Sequence, residues 1–366
     1  MAQQLVVSTR KGLFTAKKKS SGWAVAGSEF LGDNVTLALH DGRDGATYAA
    51  LNLGHFGVKL HRKDKDGEWR EIAAPKYPPK PEGLNDLDGW GKPVNWATHM
   101  IWALEAGGAD EPGTLWAGTM PGGLFRSRDR GETWELIGSL WEHPSRNKWL
   151  GGGADLPGIH SICVDPRSSN TVRIAVSCGG VWVTQDGGES WAQTAHGMRF
   201  DQGPSETASD PETQDPHMMA QSPSHPDRFW VQHHCGIYKS VDGAKSWQEV
   251  KATPSSFGFG VVVHPQDPDT AWFVPGIKDE KRYPVDGALV VTRTRDGGKS
   301  FKALNKGLPH KHAYDLAYRH ALALDKSGER LAFGTTTGNL WLSENQGDSW
   351  KLVSCTLPPV HAVRWA

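Results

Sequence analysis

Histidine opens several similar short segments distributed along the chain. His160 and His217 each precede a stretch that ends in Asp-Pro or Ser-Pro, and His99, His320 and His361 precede stretches of the same kind. In a repeat protein, equivalent segments occupy equivalent positions, so their first side chains would converge on one axis. Neutral imidazole binds Zn, Cu, Fe and Ni. The pattern predicts that these five histidines bind a divalent transition metal.

The sequence leaves two other interpretations of these histidines open. The imidazoles would also suit a polar or anionic ligand, and a histidine at the start of a strand can simply bond the backbone and pack. The last repeated segment has a second alignment, in which Tyr314 or Asp315 takes the position of His320.

A carboxylate and two more histidines cluster around His217. Asp215 stands two residues before it, and His233 and His234 end the next predicted strand. A carboxylate beside an imidazole supports either a metal ligand or general acid–base catalysis. We therefore predict Asp215 as a catalytic residue, and His233 and His234 as ligand-binding residues.

Three further residues are candidate ligand-binding groups. Arg10 and His55 fall at corresponding corners of the first two repeats. A guanidinium such as that of Arg10 suits an anionic substrate. Tyr314 completes this set, because one alignment places it at the head of the last repeat.

The elements that position these residues are indicated by a repeated octet, Ser/Thr-x-Asp-x-Gly-x-Ser/Thr-Trp. Five copies occupy residues 127–134, 184–191, 240–247, 294–301 and 343–350, and two degenerate copies end at Trp23 and Trp69. Asp accepts backbone N–H groups in a tight turn, Gly tolerates positive φ, and the hydroxyls bond locally. The octet therefore predicts a hairpin turn with the aromatic ring packed beneath it.

The octet resembles the Asp-box, also called the BNR repeat, which implies a β-propeller. Its aromatic anchors recur at intervals of about 46 to 65 residues and number seven. Seven anchors predict an all-β, seven-bladed propeller with four strands in each blade. LVVST and GLFTA read as the second and third strands of blade 1, so residues 360–365 are expected to supply its inner strand. Closing the ring in this way removes free sheet edges.

The extra length of the chain is predicted to lie on one face of a single propeller domain spanning residues 1–366. Residues 70–97, 137–158, 194–215 and 276–287 form long segments away from the octets. Long loops concentrate function. We therefore expect the site on the face opposite the octets, called the top face below, over the central channel.

Phrases such as GMRF, QDPHMM and QHHCGIYKSVDG strengthen a resemblance to bacterial seven-bladed WD40/YVTN/BNR-like proteins, which are labelled glycosyl hydrolase or exo-α-sialidase. The resemblance covers essentially the whole chain. The resemblance implies a glycosyl-hydrolase-like activity, and the predicted histidine-lined pocket indicates a hydrolase or lyase that acts on a small polar or carbohydrate-like ligand. The alternative is a non-catalytic scaffold of the Asp-box assembly-factor type, with a protein partner on the top face.

A sialidase-type glycosidase is a further alternative. Sialidases carry an Arg-Ile-Pro motif, an arginine triad and usually six blades. This chain has no Arg-Ile-Pro, and the spacing of Arg10, Arg319 and Arg364 does not demand a triad.

Composition narrows the function classes further. Forty basic and 41 acidic residues give a net charge of −1, which argues against a nucleic-acid or membrane-surface partner. The four cysteines lack CxxC spacing and are expected to be reduced thiols of a cytoplasmic protein. Thirteen of the 17 tryptophans fall on octets or predicted strands. The other four, Trp90, Trp96, Trp141 and Trp149, are expected beside the site.

Overall fold

The computed structural model describes residues 4–151 and 156–366, which form seven four-stranded antiparallel sheets. The inner strands contact one another in sequence, and the last of them, Leu322–Leu324, contacts Val360–Trp365. The sheets are therefore blades of a closed ring. The prediction of an all-β, seven-bladed β-propeller is confirmed.

Each blade runs from an inner strand at the channel to an outer strand at the rim. Blade 1 has, in that order, Val360–Trp365, Gln4–Thr9, Gly12–Lys19 and Gly22–Glu29; blade 2 has Val35–His40, Thr47–Asn52, Val58–Lys63 and Trp69–Ile72. Blade 3 has Met100–Ala106, Leu115–Met120, Leu124–Ser127 and Glu135–Leu136; blade 4 has Gly158–Asp165, Ser168–Ser177, Gly180–Thr184 and Ala192–Gln193. Blade 5 has Pro216–Gln221, Phe229–His233, Gly236–Ser240 and Gln248–Val250; blade 6 has Gly258–Val263, Ala271–Pro275, Val291–Thr294 and Lys302–Leu304. Blade 7 has Leu322–Leu324, Leu331–Gly334, Leu340–Ser343 and Lys351–Ser354.

Helical structure in the described residues is short. The α-helix is Gly138–Trp141, and the 3-10 helices are Gly54–Phe56, Pro144–Lys148, Pro211–Thr213, Val285–Gly287 and Arg319–Ala321. No helix within the described ranges is long and apolar enough to cross a membrane.

Blade 1 is built from both ends of the described chain, as predicted. Val360–Trp365 pairs antiparallel with Gln4–Thr9, with Val363 opposite Val7 and Trp365 opposite Leu5. Val363 and Val7 are fully buried. The pairing gives the backbone of Gln4–Thr9 a partner on each side and makes blade 1 a four-stranded sheet like the other six.

The five octets form one turn with one hydrogen-bond pattern. In the first, the Ser127 hydroxyl donates to Asp129 Oδ1 at 2.8 Å and accepts the Gly131 N–H at 2.8 Å. The Thr133 N–H and hydroxyl donate to the two oxygens of Asp129. The next three copies repeat these contacts, and in the fifth, where Asn345 replaces the Asp, the direction of one bond is reversed and Asn345 Nδ2 donates to the Ser349 hydroxyl at 2.9 Å. Each octet joins the third and fourth strands of its blade, so the turns mark one face.

Octet tryptophans also tie neighbouring blades together. Trp134 Nε1 donates to the Ala73 carbonyl at 2.9 Å, and Trp247 Nε1 donates to the Thr194 carbonyl at 2.9 Å. Each acceptor follows the outer strand of the preceding blade. The octet is thus both a turn and an inter-blade contact.

The expectation that four tryptophans stand beside the site is wrong for three of them, since Trp96 packs against Trp141, with ring centroids 5.4 Å apart, and does not line the axial cavity described below. Trp141 and Trp149 are fully buried, and each belongs to an apolar core between blades. The helix Gly138–Trp141 places the Trp141 ring in this core, since the segment folds down onto the blades instead of standing free. Trp90 is 62% exposed.

Candidate active site in the axial pocket

A bulge recurs near the start of the inner strand in blades 1 to 6. At each one the register slips against the second strand, and the extra residues are His361, Thr36, Trp102, His160, His217 and the pair Phe259-Gly260. A bulge bends its strand and re-aims a side chain. The side chains at these bulges, with the exception of His160, line one cavity on the propeller axis.

This cavity, called the axial pocket below, has a volume of about 810 Å³. Each of the four long segments contributes to its wall, through Trp90, Leu150, Phe200 and Asp279 among others. The pocket is therefore a top-face feature that combines inner-strand bulges with loops. Its volume is that of a site for a small molecule or a short oligosaccharide.

Asp215, His217 and His234 meet at the wall of this pocket and are called the acid–imidazole cluster below. Their ligand atoms all lie within 4.8 Å of one another. In the part of the chain that the structure describes, no other three His, Cys, Asp or Glu side chains approach in this way. Two of the three, Asp215 and His217, come from the long loop and the bulge that enter blade 5.

Asp215 is a buried carboxylate whose two oxygens have different partners. Oδ1 accepts the Cys178 N–H at 3.1 Å and the Ser177 hydroxyl at 3.2 Å. Oδ2 lies 3.2 Å from His234 Nδ1 and 3.6 Å from His217 Nε2. Burial raises the pKa of Asp215, but the two imidazoles outweigh burial and hold its pKa well below the usual range. A carboxylate that stays ionised suits a ligand or an orienting group better than the catalytic acid.

The tautomer of His217 is fixed by its other ring nitrogen. Nδ1 lies 2.7 Å from the Gly258 carbonyl, which only accepts, so Nδ1 carries the proton. With the ring neutral, Nε2 then presents a lone pair to Asp215 Oδ2, whereas a proton on Nε2 would be donated to that oxygen. Burial lowers the pKa of His217, which keeps the ring neutral. Stacking on Phe259, with ring centroids 4.5 Å apart, fixes the ring plane.

His234 completes the cluster. Its Nδ1 faces Asp215, while its Nε2 is buried and has no hydrogen-bond partner among the described residues. His234 lines the pocket. A buried polar atom without a partner requires an explanation, because leaving it unsatisfied costs free energy.

Two other predicted histidines are held by the backbone. His160 is fully buried, with Nε2 donating to the Pro216 carbonyl at 2.7 Å and Nδ1 lying 2.9 Å from the Ser161 hydroxyl. His233 is also fully buried, and its ring nitrogens lie 3.1 and 3.0 Å from the N–H groups of Asp215 and Cys235. Neither ring lines the pocket.

The neutral state of His160 makes stability depend on pH. Burial lowers the pKa of His160 well below its ordinary value. Below pH about 6.5 the unfolded chain binds a proton at this residue and the folded chain does not, so stability falls as the pH falls. We expect His160→Gln, whose amide retains a donor for Pro216, to lose about 1.4 kcal/mol less per pH unit than the wild type.

Urea unfolding at pH 7 and pH 5 measures this difference. The exposed His225 gives the matched control, since His225→Gln is expected to leave the pH dependence unchanged. Parallel loss of stability in the wild type and His160→Gln would show that His160 is not the group responsible.

Of the remaining predicted residues, two line the pocket and four do not. His320 and His361 line it, and His361 Nε2 lies 3.0 Å from Asn34 Oδ1. His99 is exposed and precedes the inner strand of blade 3, where Trp102 takes the bulge position. Arg10, His55 and Tyr314 are exposed and do not line the pocket.

Two arginines, Arg282 and Arg319, line the pocket although the prediction of ligand-binding residues did not include them. Their guanidinium carbons lie 5.5 and 5.6 Å from the ring centroid of Phe259. Arg282 bonds Asp279, with Nε 3.1 Å from the backbone carbonyl. Arg282 stands in a long loop, and nothing in its local sequence distinguishes it from other surface arginines.

The arginines considered for a sialidase triad do not converge. Arg364 pairs with Glu105 at 3.1 Å, Arg10 is exposed, and Arg319 lies in the pocket. All four cysteines are free thiols, as predicted.

Fold and site together define a seven-bladed β-propeller with an acid–imidazole cluster in an axial pocket. No family model matches the chain. It is 27% identical over 266 residues, 64% of its length, to an oligoxyloglucan-reducing end-specific xyloglucanase of Emericella nidulans. It is 26% identical over 272 residues, 66% of its length, to a probable enzyme of the same name from Neosartorya fischeri. The chain spans 30% of the length of each of these curated relatives.

Solved structures share the propeller fold at low sequence identity. An ancestral GH74 enzyme superimposes with a TM-score of 0.58 at 15% identity, over 91% of this chain and 38% of that one. YCF48 bound to D1 peptide gives 0.52 at 14% identity, over 87% and 81%. A functionally unknown protein from Desulfotomaculum acetoxidans gives 0.58 at 10% identity, over 100% and 99%.

Proposed function

We propose that this propeller is a metal-assisted, carbohydrate-active enzyme, a hydrolase or lyase, whose reaction takes place in the axial pocket. The observation that carries the proposal is the fixed tautomer of His217, whose unprotonated Nε2 faces the ionised Asp215 Oδ2 at 3.6 Å. Two electron-rich atoms that face each other in a buried site are stabilised by a cation between them.

The spacing of the cluster fits such a cation. Metal–ligand distances of about 2.0–2.2 Å in a tetrahedral site put ligand atoms about 3.4 Å apart. Asp215 Oδ2 lies 3.2 Å from His234 Nδ1 and 3.6 Å from His217 Nε2. Imidazole and carboxylate together suit a divalent transition metal. The bond from His217 to the Gly258 carbonyl is the outer support that metal-binding histidines use.

A bound metal would supply Lewis acidity or a water with a lowered pKa. The residues of the chain have the other tasks. With its Nδ1 turned to the metal, His234 would carry its proton on Nε2, which has no protein partner among the described residues, and could donate it in a hydrogen bond to the substrate. Asp215 would hold the metal through Oδ2, and the N–H of Cys178 keeps Asp215 in place through Oδ1.

Carbohydrate is the substrate class that the pocket wall favours. Trp90, Trp102 and Tyr318 line it, and flat aromatic faces between polar groups suit the amphipathic faces of sugar rings. The similarity to named xyloglucanases points to glycosides as well. It covers one part of those enzymes, so their particular substrate specificity is not carried over.

A non-catalytic scaffold is the second candidate. It is favoured by the exposure of Trp90, 62%, at the rim of the pocket, together with the fold shared with peptide-bound YCF48. A scaffold would bind a protein on the top face and would need no metal.

A cleavage assay on protein purified without a His tag tests the proposal. The protein is dialysed against chelator, reloaded with Zn²⁺ or Mn²⁺, and incubated with xyloglucan, uronic acid oligosaccharides and a fluorogenic sialoside. New reducing ends indicate hydrolysis, and an ultraviolet-absorbing unsaturated product indicates elimination. We expect cleavage only after reloading. Folded, reloaded protein that neither binds nor cleaves any saccharide would exclude the enzyme and leave the scaffold.

A further inference from the structure

Arg319 is the pocket residue whose guanidinium is left without hydrogen-bond partners. Within residues 4–151 and 156–366, its Nε is buried without a hydrogen-bond partner, and its guanidinium forms no side-chain hydrogen bond with the charged groups around it. A guanidinium has five donors. Leaving them unmatched in a half-buried position is costly unless a ligand supplies acceptors.

The surroundings of Arg319 hold its guanidinium at the pocket wall. Its Cζ lies 4.5 Å from the ring centroid of Trp102 and 5.6 Å from that of Phe259, and both rings line the pocket. Stacking on aromatic faces leaves the edge of the guanidinium plane, which carries the donors, free. Burial lowers the pKa of Arg319 to about 10, so the side chain remains cationic at neutral pH.

The backbone around Arg319 is also specialised. Arg319 has φ +23°, a value that residues with side chains rarely adopt. Its carbonyl oxygen lies so close to Gly260 that a Cβ there would be 3.0 Å away. Strained positions of this kind persist where surrounding structure enforces them, and they cluster at ligand sites.

We propose that Arg319 is the receptor for a carboxylate on the saccharide, which makes the substrate class an acidic, uronate-type carbohydrate. The inference rests on the proposed function, because it names the substrate of the same pocket. The planar fork of arginine matches a carboxylate in a bidentate manner. Arg319 shares the pocket wall with Asp215 and His217, so an anion bound to it lies in the same cavity as the acid–imidazole cluster.

Arg282 contributes positive charge but is already neutralised in part by Asp279. Arg319 has no such counter-charge within bonding distance in the described residues. Among the described residues, Asp279 pairs with Arg282 and Asp215 faces two histidines, which leaves Arg319 as the cation of this pocket wall without an ion pair.

Calorimetric titration of the metal-reloaded protein tests this inference. The probes are uronic acid oligosaccharides of α-1,4 and β-1,4 linkage, each paired with its fully methyl-esterified form, which has the same sugar ring without the charge. For each oligosaccharide that binds, we expect the dissociation constant of the acid form to be at least about tenfold lower than that of its ester. A sulfated oligosaccharide of matched length separates carboxylate recognition from general attraction to anions.

Variants distinguish recognition from a structural role. Arg319→Gln is expected to weaken binding of the acid form by about 10- to 100-fold while leaving the ester and the metal content unchanged. Arg319→Lys, which keeps the charge but loses the fork, is expected to fall in between. Arg199→Gln removes an exposed positive charge from the loop residue beside Phe200 and serves as the matched control.

The outcomes separate the two proposals. Equal affinity for acid and ester, equal loss of both in Arg319→Gln, or preference for sulfate over carboxylate overturns the assignment of Arg319 while leaving the metal site intact. Protein that binds no uronate at all also overturns it. A wild-type protein that does not bind the added metal would instead contradict the proposed function.

Discussion

If the acid–imidazole cluster holds a divalent metal, the variant His217→Asn is expected to bind it about 100-fold or more weakly than the wild type. Asparagine retains an N–H that can donate to the Gly258 carbonyl, but it has no atom in the place of Nε2. The substitution therefore removes one predicted ligand and preserves the bond that orients the wild-type ring. Activity in the cleavage assay should fall with metal occupancy.

The weaker binding is measured in two ways. Mass spectrometry gives the metal content of each variant after dialysis, and titration with Zn²⁺ gives the dissociation constant. His160→Gln is the matched control, because His160 occupies the corresponding bulge of blade 4 but bonds the Pro216 carbonyl instead of joining the cluster. Circular dichroism establishes that both variants fold. If His217→Asn binds metal as the wild type does, His217 is not a ligand.

Deletion of residues 360–366 is expected to abolish the stable fold. The deletion removes the inner strand of blade 1 and with it the buried side chains Val360, Ala362 and Val363. Each buried valine contributes about 1.5–3 kcal/mol, and the paired backbone of Gln4–Thr9 would also lose its partner. The sum is a large share of the roughly 5–15 kcal/mol by which domains are stable.

Soluble yield, gel filtration and urea unfolding measure this effect. Addition of a synthetic peptide of residues 360–366 is expected to restore cooperative unfolding, which separates loss of the strand from nonspecific damage. A deletion variant that unfolds at the same urea concentration as the full chain would mean that ring closure contributes little to stability.

The seven-bladed propeller fold can be predicted from the sequence because the octet combines a tight turn with a packing contact between blades. Asp129, Gly131 and Trp134 act through local bonds and one ring, so their spacing alone identifies a turn between the third and fourth strands. The number of such turns predicts the number of blades. Because the first repeat lacks an inner strand, the same pattern also predicts that residues 360–365 supply that strand and close the ring.

Only part of the site can be predicted from the sequence, because no residue type marks the position of a bulge in an inner strand. Matching by histidine selects His217, His320 and His361, whose side chains line the pocket, but in blade 3 it selects His99, three residues before the bulge at Trp102. The pattern also could not separate His217, which faces the pocket, from His160, which bonds the neighbouring backbone. That distinction depends on which strand packs alongside.

Arg319 illustrates a second limit. Its position depends on a 3-10 turn, a positive φ and the close approach of Gly260 from another blade. None of these is encoded in the residues next to it. Neighbouring His320 was selected for its residue type, whereas the unsatisfied donors of Arg319 become apparent only when the pocket is assembled.

Anomalous diffraction from crystals of tag-free protein soaked with Zn²⁺, with data at the zinc absorption edge, tests the central claim most directly. We expect one strong peak in the axial pocket, bonded to Asp215 Oδ2, His217 Nε2 and His234 Nδ1. Absence of a peak there at full zinc exposure, or a peak held only by residues outside the acid–imidazole cluster, would contradict the assignment of this pocket as a metal-assisted active site.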